Sequence, residues 1–130
     1  MKNPFSPGDT KTFSHVVGPD DTARFPTGEV HPVYSTFALA REAEWSGRQF
    51  VLGMKEADEE GIGTGITVTH HSPAGIGQEV AFTATLIAVQ GNEVVTGYKA
   101  TVGARLIADG EQRQKILKSE RLKQLFARMA

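Results

Sequence analysis

The chain has 130 residues, 39% apolar and 22% charged, with a formal net charge of -1. That is the makeup of a single domain, residues 1–130, around one core, and it argues against disorder. The balanced charge leaves no broad electrostatic footprint for nucleic acid. The lack of cysteine excludes disulfides, thiolate catalysis and sulfur-ligated zinc.

The opening MKNPFSPGDT lacks the apolar stretch of a secretory signal. No apolar run approaches the roughly 20 residues a membrane helix needs. The expectation is a soluble, cytoplasmic protein with neither nucleic acid nor membrane as partner.

Residues 9–17 predict a first strand with Phe13, His15 and Val17 on one face. Residues 18–33 carry Pro19, Pro26, Pro32 and two glycines, which predicts a loop or lid without regular structure. From Thr36 to Met54 the period turns helical, with Leu39, Ala43, Ser46, Phe50 and Met54 on one stripe. Phe37, Ala40 and Val51 flank that stripe, and Ala38, Trp45 and Leu52 form a third patch. Arg41, Arg48, Glu42 and Gln49 are expected in solvent. A helix apolar on so many sides is expected to be enclosed by other structure.

Lys55–Gly61 reads as a polar stop. Strands follow at 62–71, 78–89, 94–106 and 111–117, with hairpin turns at Gln90–Glu93 and at Asp109-Gly110. Ile62, Ile66, Val68 and His70 are predicted to share one face, as are Val80, Phe82, Ala84 and Leu86. Ser119 is expected to cap a short basic C-terminal helix. The class is α+β: an antiparallel sheet wrapped around one long helix.

Metal and nucleotide chemistry find no support in this order. His70 and His71 are adjacent on a strand and point to opposite faces, so they cannot chelate one ion together. The glycine-rich Gly61–Ile66 stretch leads into a strand and has Ile66 where a dinucleotide fingerprint needs glycine. No cofactor and no metal are called for.

Three residues stay open. Glu44 falls by angle between Val51 and Phe37; it either pairs with Arg48 or Arg41 or is a desolvated base or nucleophile. His70 is either a core histidine or a proton-transfer group. Thr36, at the helix start, either caps the helix, a task Ser35 could also perform, or aims its hydroxyl into a cleft beside free amides.

The segment Val30-His31-Pro32-Val33-Tyr34-Ser35-Thr36, then Glu44-Trp45, then Gly63-Thr64-Gly65-Ile66-Thr67-Val68-Thr69-His70, resembles the fluoroacetyl-CoA thioesterase-like family of hot-dog proteins. The match runs from about residue 9 to 126. The resemblance implies a hot-dog fold, a homodimer and hydrolysis of acyl-CoA. It places Thr36, Glu44 and His70 on the family's catalytic threonine, glutamate and histidine, and Gly63 on a glycine whose N–H borders the thioester. Thr27 and Val30 stand where the fluoroacetate-specific member has lid phenylalanines. Gln114 stands where it has an arginine, with Arg113 beside it. Val30 and Arg113 therefore join Gly63 as candidate substrate-binding residues, and a general short or medium acyl-CoA is the expected substrate. Lys115, Lys118, Arg121 and Lys123 are either a solvated face or cations for the CoA phosphates.

Two rivals accompany this reading. One is a non-catalytic acyl-CoA or small-ligand binding module on the same fold. The other is a hydratase, disfavoured by the absence of a D-x-N-P-x-H segment.

Overall fold

The computed structural model describes residues 1–129. Strand β1 (Thr10–Val16) leads through a short 3-10 turn (Pro19–Asp21) to β2 (Thr22–Phe25) and β3 (Gly28–Tyr34). Helix α1 (Thr36–Met54) follows, then β4 (Glu59–Ile66), β5 (Thr69–His70), β6 (Glu79–Gln90), β7 (Glu93–Val102), β8 (Arg105–Lys118) and α2 (Ser119–Ala127). The main sheet is antiparallel in the order β1-β6-β7-β8-β4, with β5 also paired to β8. This is the α+β, helix-in-sheet architecture read from the pattern.

Helix α1 spans the predicted residues without a shift. Leu39, Ala43, Phe50, Val51 and Met54 are fully buried, and each of the larger side chains contributes about 1.5–3 kcal/mol. They meet the inward set Val80, Phe82, Ala84 and Leu86 of β6, all buried as expected from alternation. The apolar core forms two clusters, one around Leu39 and Phe82 and one around Phe50 and Leu86. Fully buried Ser46, Thr96, Gln112 and Gln114 also line the interior.

Enclosure of the helix is incomplete within one chain: Phe37, Trp45 and Leu52 stay exposed.

Several expectations are corrected. Residues 18–33 are not an irregular loop: β2 and β3 form a separate two-stranded ribbon. Its prolines fit because the turn takes Pro26, and Pro32 lies in a ribbon strand with only one partner strand. Asp109-Gly110 is not a turn but the middle of β8. The turn falls at Gly103, whose φ of 57° suits glycine. Gly110 has another purpose: a Cβ there would strike the carbonyl of Thr67, which crosses above it. Ser119 is the first helical residue of α2, with Lys118 preceding it as the cap and making no side-chain capping bond.

Glu42 is not solvated. It lies buried, accepting hydrogen bonds from Tyr34 Oη at 2.8 Å and Arg41 Nε at 2.9 Å.

The face predicted for Ile62 with Ile66, Val68 and His70 does not hold. Gly61 and Gly63 lie opposite the buried Ile116 and Gln114, so Ile62 faces outward. A bulge between Gly63 and Gly65 then shifts the parity. Ile66 comes opposite buried Gln112, and His70 opposite buried Ala108. The bulge is what turns both Gly63 and His70 toward the helix. Strict alternation would have set them on opposite faces.

Candidate active site

Ser35 is the N-cap of α1: its Oγ accepts from the Ala38 N–H at 3.1 Å. Thr36, one residue on, is thereby released from capping. Its Oγ1 lies 3.1 Å from Nδ1 of His70. The other ring nitrogen, Nε2, is buried and has no hydrogen-bond partner among the described residues. Burial pushes the His70 pKa below its ordinary 6.5, with a smaller push in the same direction from His71. A neutral imidazole with one nitrogen tied to a hydroxyl and the other idle can accept or relay a proton. A cavity of about 250 Å³ is lined by His70, His71, Ser72 and Pro73.

Two turns further along α1, Glu44 is exposed and has no hydrogen bond or ion pair among the described residues. Neither expected partner takes it. Arg48 reaches Glu60 at 2.6 Å, and Arg41 reaches Asp21 at 3.0 Å and Glu42 at 2.7 Å. Glu44 instead rests against Gly63: a Cβ built on that glycine would collide with Glu44 Oε1.

The ladder fixes where the Gly63 amide points. Ile116 spends both backbone groups on the β6–β7 turn, its N–H on Asn92 O and its C=O on Asn92 Nδ2. Gly61, opposite Ile116, therefore turns its N–H and C=O away from β8. Indeed its N–H donates to Glu60 and its C=O accepts from Arg48. By the period of two, Gly63 does the same, and its N–H points to the open edge of the sheet.

The structure thus brings together two pairs, Thr36 with His70 and Glu44 with Gly63. No hydrogen bond joins one pair to the other among the described residues. Eight helical residues separate Thr36 from Glu44, about 12 Å of rise.

Val30 lies exposed on β3. Arg113 is not with either pair. It faces outward on β8, between the inward Gln112 and Gln114, and is paired with Glu93 at 3.0 Å. Of the C-terminal cations, Lys118 is held by Asp58 at 2.9 Å.

A second cluster went unseen in the sequence. Buried Asp21 takes His15 Nε2 at 2.7 Å, the Gly18 N–H at 2.9 Å and Arg41 at 3.0 Å, and its carbonyl receives the Ser35 N–H at 2.8 Å. Burial alone would raise the Asp21 pKa, but these donors outweigh it and hold it below the usual value. Burial and the neighbouring Glu42 carboxylate keep the Tyr34 phenol protonated, so it donates to Glu42. The Asp21 and Glu42 carboxylates are saturated with donors. The clue available in the sequence was His15 on the inward face of β1, but its partners come from a turn and a helix.

The fold and this arrangement define a hot-dog thioesterase. The family model of the fluoroacetyl-CoA-specific thioesterase matches residues 17–120, and the chain belongs to that family. A Thermus thermophilus hypothetical protein described as a thioesterase superfamily member is similar at 34% identity and a TM-score of 0.93, over 97% of this chain and 93% of that one. A mutant of the fluoroacetyl-CoA-specific thioesterase is similar at 26% identity and a TM-score of 0.88, over 99% and 100%. A hot-dog-like protein from Thermanaerovibrio acidaminovorans shares 25% identity with a TM-score of 0.86, over 97% and 94%. No curated protein matches the chain. With its family and these neighbours, the protein is a thioester hydrolase.

Proposed function

We propose that the protein hydrolyses short or medium acyl-CoA thioesters to the free acid and CoA. Glu44 takes up the proton of a water that attacks the carbonyl carbon, or attacks it directly to form a mixed anhydride that water then hydrolyses. The C–S bond breaks, and the proton given up by the water passes through His70 to the leaving thiolate, leaving the free acid and CoA. Thr36 orients His70. The outward N–H of Gly63 receives the developing oxyanion, an interaction typically worth about 3–4 kcal/mol per donor.

The observation that carries this reading is the unpaired Glu44 carboxylate against Gly63, a residue of an edge strand. The Thr36–His70 hydrogen bond and the orphaned His70 Nε2 support it. A bulky lid of the fluoroacetate-specific kind is missing at Thr27 and Val30, which favours a general acyl group over fluoroacetyl. Val30 lines the acyl end. Arg113 serves the CoA end from the outer face, where it is free to leave Glu93.

We propose further that the protein is a cytoplasmic homodimer joined through the β4 edge. That edge has no partner strand within the chain and carries exposed Ile66. An open edge of this kind is normally covered. A monomer by light scattering at micromolar concentration would contradict the dimer.

The test of function is thiol release from an acyl-CoA panel by the purified protein, its Glu44→Ala variant and its His70→Ala variant. Turnover by the wild type, lost in both variants, is the expected result. Thermal stabilisation by acyl-CoA without thiol release would instead favour a binding module, and unimpaired variants would sink the assignment of the site.

A further inference from the structure

Arg48 lies one helical turn beyond Glu44 and makes three contacts of different kinds. Nη1 donates to the carbonyl of Gly61 at 3.0 Å and lies 3.4 Å from Gln114 Oε1, while Nη2 pairs with Glu60 at 2.6 Å. Gln114 is fully buried and is itself fixed, its Nε2 donating to Gln112 Oε1 at 2.9 Å. The guanidinium is therefore held from beneath by the interior and from outside by a carboxylate. Such a planar fork loses little freedom on bonding and holds its acceptors in a defined plane.

What it holds is the edge of β4. The Gly61 carbonyl points away from β8, so no ladder bond ties it down. Two residues later Gly63 presents its N–H in the same direction, directly beneath Glu44. A strand edge bonded on one side only is free to twist, and three glycines at 61, 63 and 65 make this one loose. Glu44 and Arg48 stand at i and i+4 on one face of α1. The same helix face that supplies the carboxylate thus also grips the strand that supplies the amide.

We propose that Arg48 is a positioning residue for the thioesterase site. Through the Gly61 carbonyl it fixes β4 against α1 so that the Gly63 N–H and the Glu44 carboxylate stay in register. Arg48 and Glu60 also occupy the outward C=O and N–H of Gly61, which closes the edge there. The edge opens only from Gly63 onward, where the outward N–H is left for the oxyanion. This rests on the reading of Glu44 and Gly63 given under the proposed function.

The experiment compares wild type, Arg48→Lys, Arg48→Gln and Glu60→Gln in acyl-CoA hydrolysis, with amide hydrogen exchange at Ile62, which pairs with Lys115 of β8, measured on the same proteins. Arg48→Gln is expected to lower kcat about 10- to 100-fold with KM nearly unchanged. Arg48→Lys keeps one donor for the Gly61 carbonyl and should recover most of the loss. Glu60→Gln, which leaves the carbonyl bond in place, should retain near-wild-type kcat. Exchange at Ile62 should quicken in Arg48→Gln and not in Glu60→Gln. Should Arg48→Gln fail to fold, the Lys variant and the exchange data decide alone. Wild-type kcat in Arg48→Gln, or unchanged exchange at Ile62, overturns the role of Arg48. Absence of turnover in the wild type overturns the underlying reading instead, and the exchange measurement still reports on the clamp.

Discussion

The two flanks of helix α1 treat their carboxylates in opposite ways. On the β1 flank, Asp21 and Glu42 are buried, and their oxygens are met by Arg41, His15, Tyr34 and Gly18. On the β4 flank, Glu44 is exposed, unpaired and pressed against a glycine. A buried carboxylate is tolerated when its donors are in place, and it then ties elements together. Asp21 and Glu42 do this at the feet of the β2–β3 ribbon, joining β1, the 3-10 turn and the start of α1. Glu44 has no such partner; it lies next to an edge-strand glycine and two turns along the helix from Thr36, which bonds His70, and the proposed function assigns it to the substrate. On the proposed function, two acids two residues apart on one helix divide structure from chemistry.

Substitutions should separate them. Glu44→Ala is expected to reduce kcat/KM by about 10²–10⁴-fold, the range for a lost acid–base group, while stability changes by less than about 0.5 kcal/mol. Steady-state thiol release beside a urea midpoint reads both. Glu42→Ala should do the reverse and cost about 1–3 kcal/mol of stability, because it strands the fully buried Tyr34 hydroxyl, while Arg41 keeps Asp21. An unchanged urea midpoint would break the contrast.

Gly63→Ala adds only a methyl, but that methyl meets Glu44 Oε1, and the carboxylate must swing aside. Turnover should fall roughly tenfold with little change in melting temperature, since a flexible exposed side chain yields cheaply. Equal activity in the two proteins would remove Gly63 from the site.

The smallest effect is on pH. The His70 pKa is lowered from 6.5, chiefly by burial. The unfolded chain therefore takes up this proton first as pH falls. Stability is full above about pH 6.5 and declines below it, until folded His70 is itself protonated. His70→Gln should flatten the decline of the urea-midpoint profile below pH 6.5, and wild-type kcat should keep its acid limb below pH 6.5.

Periodicity made α1 and the inward face of β6 legible, because burial against a partner imposes 3.6 and 2.0 repeats. It failed where chain crossings and bulges decide. Gly110 reads as a turn residue, yet it is a gap left for the Thr67 carbonyl. The parity of β4 is reset by the bulge before Gly65, which no local pattern announces. The ribbon at 22–34 was hidden by its prolines. In the site, Glu44 and His70 were visible as polar residues on apolar faces. Ser35 and Thr36 were interchangeable as caps until the fold assigned one to the helix and freed the other. The pairing of Arg41 and Arg48 away from Glu44 depends on Asp21 and Glu60, partners 20 and 12 residues distant. Glu42 reads as solvated from the helix pattern for the same reason: Tyr34, its buried partner, lies outside the helix.

A structure with a non-hydrolysable acyl-CoA tests the assignment of the two flanks most directly. The account predicts the carbonyl carbon at about 3–3.5 Å from the Glu44 carboxylate or from a water bonded to it, with His70 Nε2 opening on the same space. An acyl group seated on the β1 flank beside Glu42, or Glu44 and His70 facing separate compartments, would contradict it.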